Sequence, residues 1–122
     1  MNIESLRNYC LAKKGVEECL PFGPDTLVFK VGNKLFLLAA LDALPLQFNV
    51  KCEPENAVLL REQYSCVIPG YHMNKRHWNT IIIDGMVSDK TLHQWIDDSY
   101  ALVVSSLPKS KKQQINTENK PR

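Results

Sequence analysis

The sequence has no apolar run long enough to span a bilayer. Its longest, Leu35 to Leu41, has seven residues, against the ~20 that a membrane helix needs. It has no closely spaced cysteine pair. Cys10, Cys19, Cys52 and Cys66 lie 9, 33 and 14 residues apart, which fits neither zinc nor redox CxxC spacing. The N-terminus, Met1-Asn2-Ile3-Glu4-Ser5, has no basic segment followed by an apolar one, so no export signal is visible. Glycine is sparse, at five residues, and no internal repeat or biased composition is present. These absences exclude a membrane span, a disulfide-dense exported scaffold and a fibrous or disordered chain. They point to a cytoplasmic protein with reduced thiols.

What remains is 122 residues, 44% of them hydrophobic. That suits one domain, which at this size buries roughly two-thirds of the surface its unfolded chain exposes. The net charge of +2 is unevenly placed. Residues 109–122 carry five basic side chains against one acidic, and residues 1–108 carry ten against twelve. We therefore expect a single mildly acidic domain over 1–108 and a flexible basic tail over 109–122.

Ile3, Leu6 and Cys10 recur at helical spacing, and Gly15 stops that helix. Segments 16–20, 26–31, 34–41 and 46–52 are then expected as strands of an antiparallel meander. Gly32-Asn33 is a hairpin signal, and Leu46, Phe48, Val50 and Cys52 alternate toward the core. A second helix is predicted from Pro54. Residues 66–76 are expected as loop and 78–84 as a strand. Trp78, Thr80 and Ile82 are predicted to face the core, with His77, Asn79 and Ile81 on the opposite side. A last helix starts near Ser88 or Asp89. It turns Leu92, Trp95, Ile96, Tyr100, Val103 and Leu107 inward, and Pro108 closes it. The order α-β-β-β-β-α-β-α is an α+β pattern: a two-layer sandwich with an antiparallel sheet backed by helices.

The most informative stretch is Pro69 to Thr80, PGYHMNKRHWNT. It joins bases, aromatics and asparagines at a strand edge. For nucleic acid, Lys75 and Arg76 suit phosphate, Tyr71, His72 and Trp78 suit stacking, and Asn74 or Asn79 suits an adenine edge. Lys109, Lys111 and Lys112 would add nonspecific attraction. A metal is a poor fit, because His72 and His77 fall on opposite faces of a strand. Acid–base catalysis lacks a partner carboxylate or nucleophile. The competing reading is structural: Trp78 packs, Tyr71 anchors the loop and Pro69-Gly70 is a turn. No cofactor and no enzymatic constellation are expected.

These residues also carry a resemblance. The stretch 69–80 resembles the signature of the MmcQ/YjbR family of small bacterial proteins. Gly15-Val16-Glu17-Glu18, Pro21-Phe22-Gly23, Lys51-Cys52-Glu53-Pro54-Glu55, Leu60-Arg61 and Asp98-Ser99-Tyr100-Ala101-Leu102-Val103 are similar to its other motifs. The resemblance implies a compact α+β domain with a double-wing, DNA-binding-like arrangement related to the frataxin-like fold. It implies no established activity, metal or cofactor. In that pattern Pro69, Gly70, Trp78, Asn79, Ser99 and Tyr100 are expected to be structural, and the basic loop residues to contact DNA. The alternative partner is a protein or a small anion on the sheet face. No membrane association is expected, and a monomer is.

Overall fold

The computed structural model describes residues 1–70 and 73–117. In chain order the elements are α1 (Ile3–Leu11), β1 (Val16–Cys19), β2 (Thr26–Val31), β3 (Lys34–Ala40) and β4 (Gln47–Lys51). They continue with α2 (Pro54–Gln63), β5 (Val67–Pro69), β6 (Trp78–Ile82), α3 (Asp89–Ser105) and α4 (Lys109–Thr117). The strands form one antiparallel sheet in the order β1-β2-β3-β4-β6-β5, so β1 and β5 are its outer strands. The α+β architecture matches the expectation. Among the described residues no helix is long and apolar enough to cross a membrane.

Local chemistry accounts for most boundaries. Asn2 caps α1: its Oδ1 accepts from Ser5 N–H at 2.8 Å, and Ser5 Oγ accepts from Asn2 N–H at 3.0 Å, a reciprocal capping box. Ser88 Oγ accepts from Thr91 N–H at 3.2 Å and caps α3. Gly32 and Asn33 take φ of 57° and 66°, the left-handed pair that a tight hairpin between β2 and β3 requires.

The core lies between one sheet face and the helices. Leu27, Phe29, Leu37, Ala39, Phe48, Val50 and Ile81 meet Leu6, Cys10, Ala57, Leu92, Trp95, Ile96 and Val103. A bulge enriches this face. Phe29 pairs with Leu37 and Lys30 with Leu35, which leaves Phe36 as the extra residue on β3. Phe36 and Leu37 are both fully buried.

Four sequence expectations are corrected. Residues 67–69, predicted as loop, form β5 against β6. The faces of β6 are inverted: Asn79 and Ile81 point to the helices, while Trp78 and Thr80 lie on the uncovered face and Ile82, at the strand's end, packs against the edge of the core. On α3 the polar Ser99, outside the expected core face, is fully buried beside the expected Ile96, while Tyr100 packs against the core but is only half-buried. The tail expected to be flexible from residue 109 is helical through Thr117. Its one apolar side chain, Ile115, is buried in the core cluster beside Leu107 and Val104. Burial of Ile115 and the Lys111 Nζ hydrogen bond to Gly32 O at 3.2 Å together dock this otherwise polar segment.

Candidate functional site

The basic loop is held by its own backbone. Asn74 Oδ1 accepts from Arg76 N–H at 2.9 Å, and Asn74 O accepts from His77 N–H at 3.1 Å and Trp78 N–H at 2.9 Å. Cys52 N–H donates to His77 O at 2.7 Å, tying the turn to the junction of β4 and α2. Tyr71 and His72 lie outside the described residues. Lys75 and Arg76 are exposed on the outside of this turn, and His77 is half-buried.

Arg61 of α2 fastens the turn from beneath. Its Nε donates to Asn79 Oδ1 at 2.6 Å, and its Nη2 donates to the carbonyls of Lys75 and Trp78. Asn79 is 0% exposed and donates onward to Ala57 O at 3.2 Å. These acceptors are all neutral, so the Arg61 charge is not cancelled by any of them and adds to the positive potential under Lys75 and Arg76. Sequence reading placed Arg61 only on a polar helix face. The Leu60-Arg61 pair within the resemblance was the signal that marked it. Arg61→Ala leaves the buried Asn79 oxygen without its donor and is expected to cost about 2 kcal/mol. Urea unfolding measures this loss, and limited proteolysis should show faster cleavage at 73–77.

The same geometry narrows what each predicted residue can do. Asn79 is sealed in the core and cannot read a base. Asn74 uses its side-chain oxygen within the turn, so the two-bond recognition of adenine, which needs both amide atoms, is closed to it. Its amide nitrogen remains as a donor. Trp78 is buried beneath the loop. Gly70 permits that packing, because a Cβ there would stand 2.9 Å from Trp78 Cβ and 3.0 Å from its carbonyl oxygen. Pro69 closes β5 opposite Asn79. Tyr100 donates from its hydroxyl to Lys14 O at 2.6 Å and packs edge-on against Phe36.

The register places other cations at the same end of the sheet. Val31 pairs with Lys34 beside the β2–β3 turn, and Lys51 pairs with Trp78. Lys111 Nζ donates to Gly32 O at 3.2 Å and pins α4 against that turn. Lys34 and Lys109 are exposed, and Lys112 is half-buried. Three strand spacings separate β2 from β6, roughly 14 Å, close to the ~12 Å width of a DNA major groove. Lys51 contributes less to this set: it shares a cleft of about 340 Å³ between α2 and α3 with Glu53 and Asp98.

Catalytic readings gain little. Burial pushes the Cys10 thiol up to about 12 and the Cys52 thiol up to about 11, the latter with help from Asp98. Burial also raises Cys66. A thiol held protonated is a poor nucleophile. Among the described residues no three His, Cys, Asp or Glu side chains converge in a way that could hold a metal.

The uncovered sheet face holds a groove of about 540 Å³, lined by Thr26, Leu38, Gln47, Asn49, Met73 and Thr80, with Phe22, Asp25 and Asp42 at its rim. Among the described residues its only charged groups are carboxylates, so a small anion does not suit it.

Comparison with known proteins sets this geometry in a family. The uncharacterized protein YbdF of Escherichia coli O157:H7 is 37% identical over 113 residues, covering 92% of each chain. The uncharacterized protein YjbR of Escherichia coli K12 is 36% identical over 112 residues, covering 92% of this chain and 95% of its own. The crystal structure of Deinococcus radiodurans protein DR2400, which carries a DUF419 domain, superimposes with a TM-score of 0.89 at 31% identity. That match covers 99% of this chain and 92% of that one. A Pseudomonas syringae protein matches with a TM-score of 0.72 at 28% identity over 84% of this chain and 98% of its own. The YjbR family model matches residues 11–102, a span that holds the pinned basic turn, Arg61 and Asn79, and this chain belongs to the YjbR family.

Proposed function

We propose that the protein is a non-enzymatic nucleic-acid-binding protein that grips the phosphate backbone with the basic end of its sheet. The observation that carries this reading is the turn at 74–77. Arg61 and Asn79 fix its base, and Lys75 and Arg76 project from it with no carboxylate partner among the described residues. A fixed turn presents its cations without the ordering cost of a loose loop. Lys34, Lys109 and Lys112 extend the contact across the sheet end. His77 and the Asn74 amide nitrogen supply further donors, and Lys111 positions α4. Tyr71 and His72 belong to the same proposal through their place in the sequence. Contacts of this kind position a protein on a duplex and carry little sequence information.

The test is fluorescence anisotropy with a labelled random duplex over a range of salt. Lys75→Ala/Arg76→Ala is expected to weaken binding and to reduce the slope of log K against log salt by about 2. Lys109→Ala/Lys112→Ala should give a smaller loss. Point substitutions are the right probe of these lysines, because Ile115 is part of the core and removing α4 would disturb the fold. Wild-type binding with no salt dependence, or an unchanged double variant, would overturn the reading.

A further inference from the structure

We infer that the groove on the uncovered sheet face is a binding site for a small organic cation, an amine carried on an apolar or aromatic body. This goes beyond the nucleic-acid reading: the groove runs along the uncovered face, with its carboxylates on the loops at the end opposite the basic turn and Met73 lining it next to that turn. The inference combines shape, charge and an aromatic held in the open.

The groove's size falls within the range of small-molecule sites. Its floor is chemically graded. Leu38 and Ala40 give an apolar strip, and Gln47 and Asn49 give neutral amides beside it. Asn49 is held by Thr80, whose Oγ1 donates to Asn49 Oδ1 at 2.5 Å. The rim carries Asp25 from the β1–β2 loop and Asp42 from the β3–β4 loop. Leu41 N–H donates to Asp25 O at 2.8 Å, which brings the two loops side by side. Neither carboxylate has a salt bridge or a side-chain hydrogen bond among the described residues.

Phe22 completes the site. It is 68% exposed at the groove's edge and sits between Pro21 and the Gly23-Pro24 pair. Prolines limit the freedom of that loop, so the ring is presented rather than buried. Two carboxylates and an aromatic side chain lining one groove suit a cation, through Coulomb attraction and cation–π contact together. The apolar strip takes the remainder of such a ligand.

The experiment uses the full chain, labelled with 15N, and three probes of one shape: phenethylamine, its neutral N-acetyl derivative and the anion 3-phenylpropionate. Phenethylamine is expected to shift the amides of Thr26, Ala40, Gln47 and Asn49 saturably. The neutral probe should bind roughly tenfold more weakly and the anion more weakly still. Asp25→Asn/Asp42→Asn should remove that preference without changing the melting temperature. Asp25→Lys/Asp42→Lys should reverse it toward phenylpropionate. Lys75→Ala/Arg76→Ala should leave amine binding unchanged, which separates this site from nucleic-acid contact. The inference is overturned if the three probes bind alike, if none shifts the groove amides, or if the aspartate variants keep the wild-type order.

Discussion

Ser99→Ala is expected to lower stability by about 3 kcal/mol, which for a chain of this size lowers the melting temperature by about 10 °C. The reason lies in the β3–β4 ladder. Its paired residues stop at Leu37 and Val50, where the Phe36 bulge disturbs the strand. The next two backbone groups are joined through the Ser99 hydroxyl. Lys51 N–H donates to Ser99 Oγ at 2.8 Å, and Ser99 Oγ donates to Phe36 O at 2.6 Å. Ser99 is 0% exposed, so water cannot replace the bridge without opening α3 from the sheet. Alanine leaves one donor and one acceptor unsatisfied, each a cost of about 1–3 kcal/mol. Ser99→Thr keeps the hydroxyl and should recover part of the loss, limited by the added methyl in a packed site. A melting temperature within ~2 °C of wild type for Ser99→Ala would show that the bridge contributes little.

The second large effect is alkaline destabilisation. Both buried thiols ionise far above the ordinary value of 9.0, Cys10 at about 12 and Cys52 at about 11. Their stabilising contribution is complete below pH ~9 and is lost as pH rises toward those raised values. In that window the unfolded chain has released its thiol protons and the folded chain has not, so stability falls with pH. Each thiol approaches a slope of about 1.4 kcal/mol per pH unit once the unfolded thiol is fully ionised, so the pair removes about 3 kcal/mol between pH 9 and 10.5. Urea unfolding at stepped pH measures this directly. The Cys10→Ala/Cys52→Ala variant should be weaker at neutral pH, because of the space it leaves, and much flatter above pH 9. An equal slope in variant and wild type would assign the effect to other groups.

Most of the architecture is legible in the sequence because periodicity and turn chemistry agree there. The Gly32-Asn33 hairpin, the alternation of β4, the proline start of α2 and the serine cap of α3 all stand where their residues indicate. The differences at Asn79, Ser99 and residues 109–117 share one cause: polarity does not measure exposure. β5 differs for another reason: three residues long and ending in proline, it is too short to show a strand pattern. Asn79 faces the core because Arg61 and Ala57 satisfy its amide, and neither partner is adjacent in sequence. Ser99 is buried for the same reason. Residues Lys109 to Thr117 look solvated until Ile115 is given a place to dock. The 75–76 cations are visible in the sequence as a pair. Arg61 beneath them becomes visible only when α2 and β6 are brought together. The groove was not legible at all, since Phe22, Asp25, Asp42 and Asn49 come from separate segments.

The outer strands have a consequence for behaviour at high concentration. β1 is four residues long and carries Glu17 and Glu18. β5 is three residues long and ends in Pro69, which has no amide hydrogen to offer. The longest apolar run of this chain, Leu35 to Leu41, lies in β3 up to Ala40, with a neighbouring strand on each side. A second chain approaching either margin therefore meets a short, charged or proline-blocked template, and the segment best suited to templating fibril growth is out of its reach.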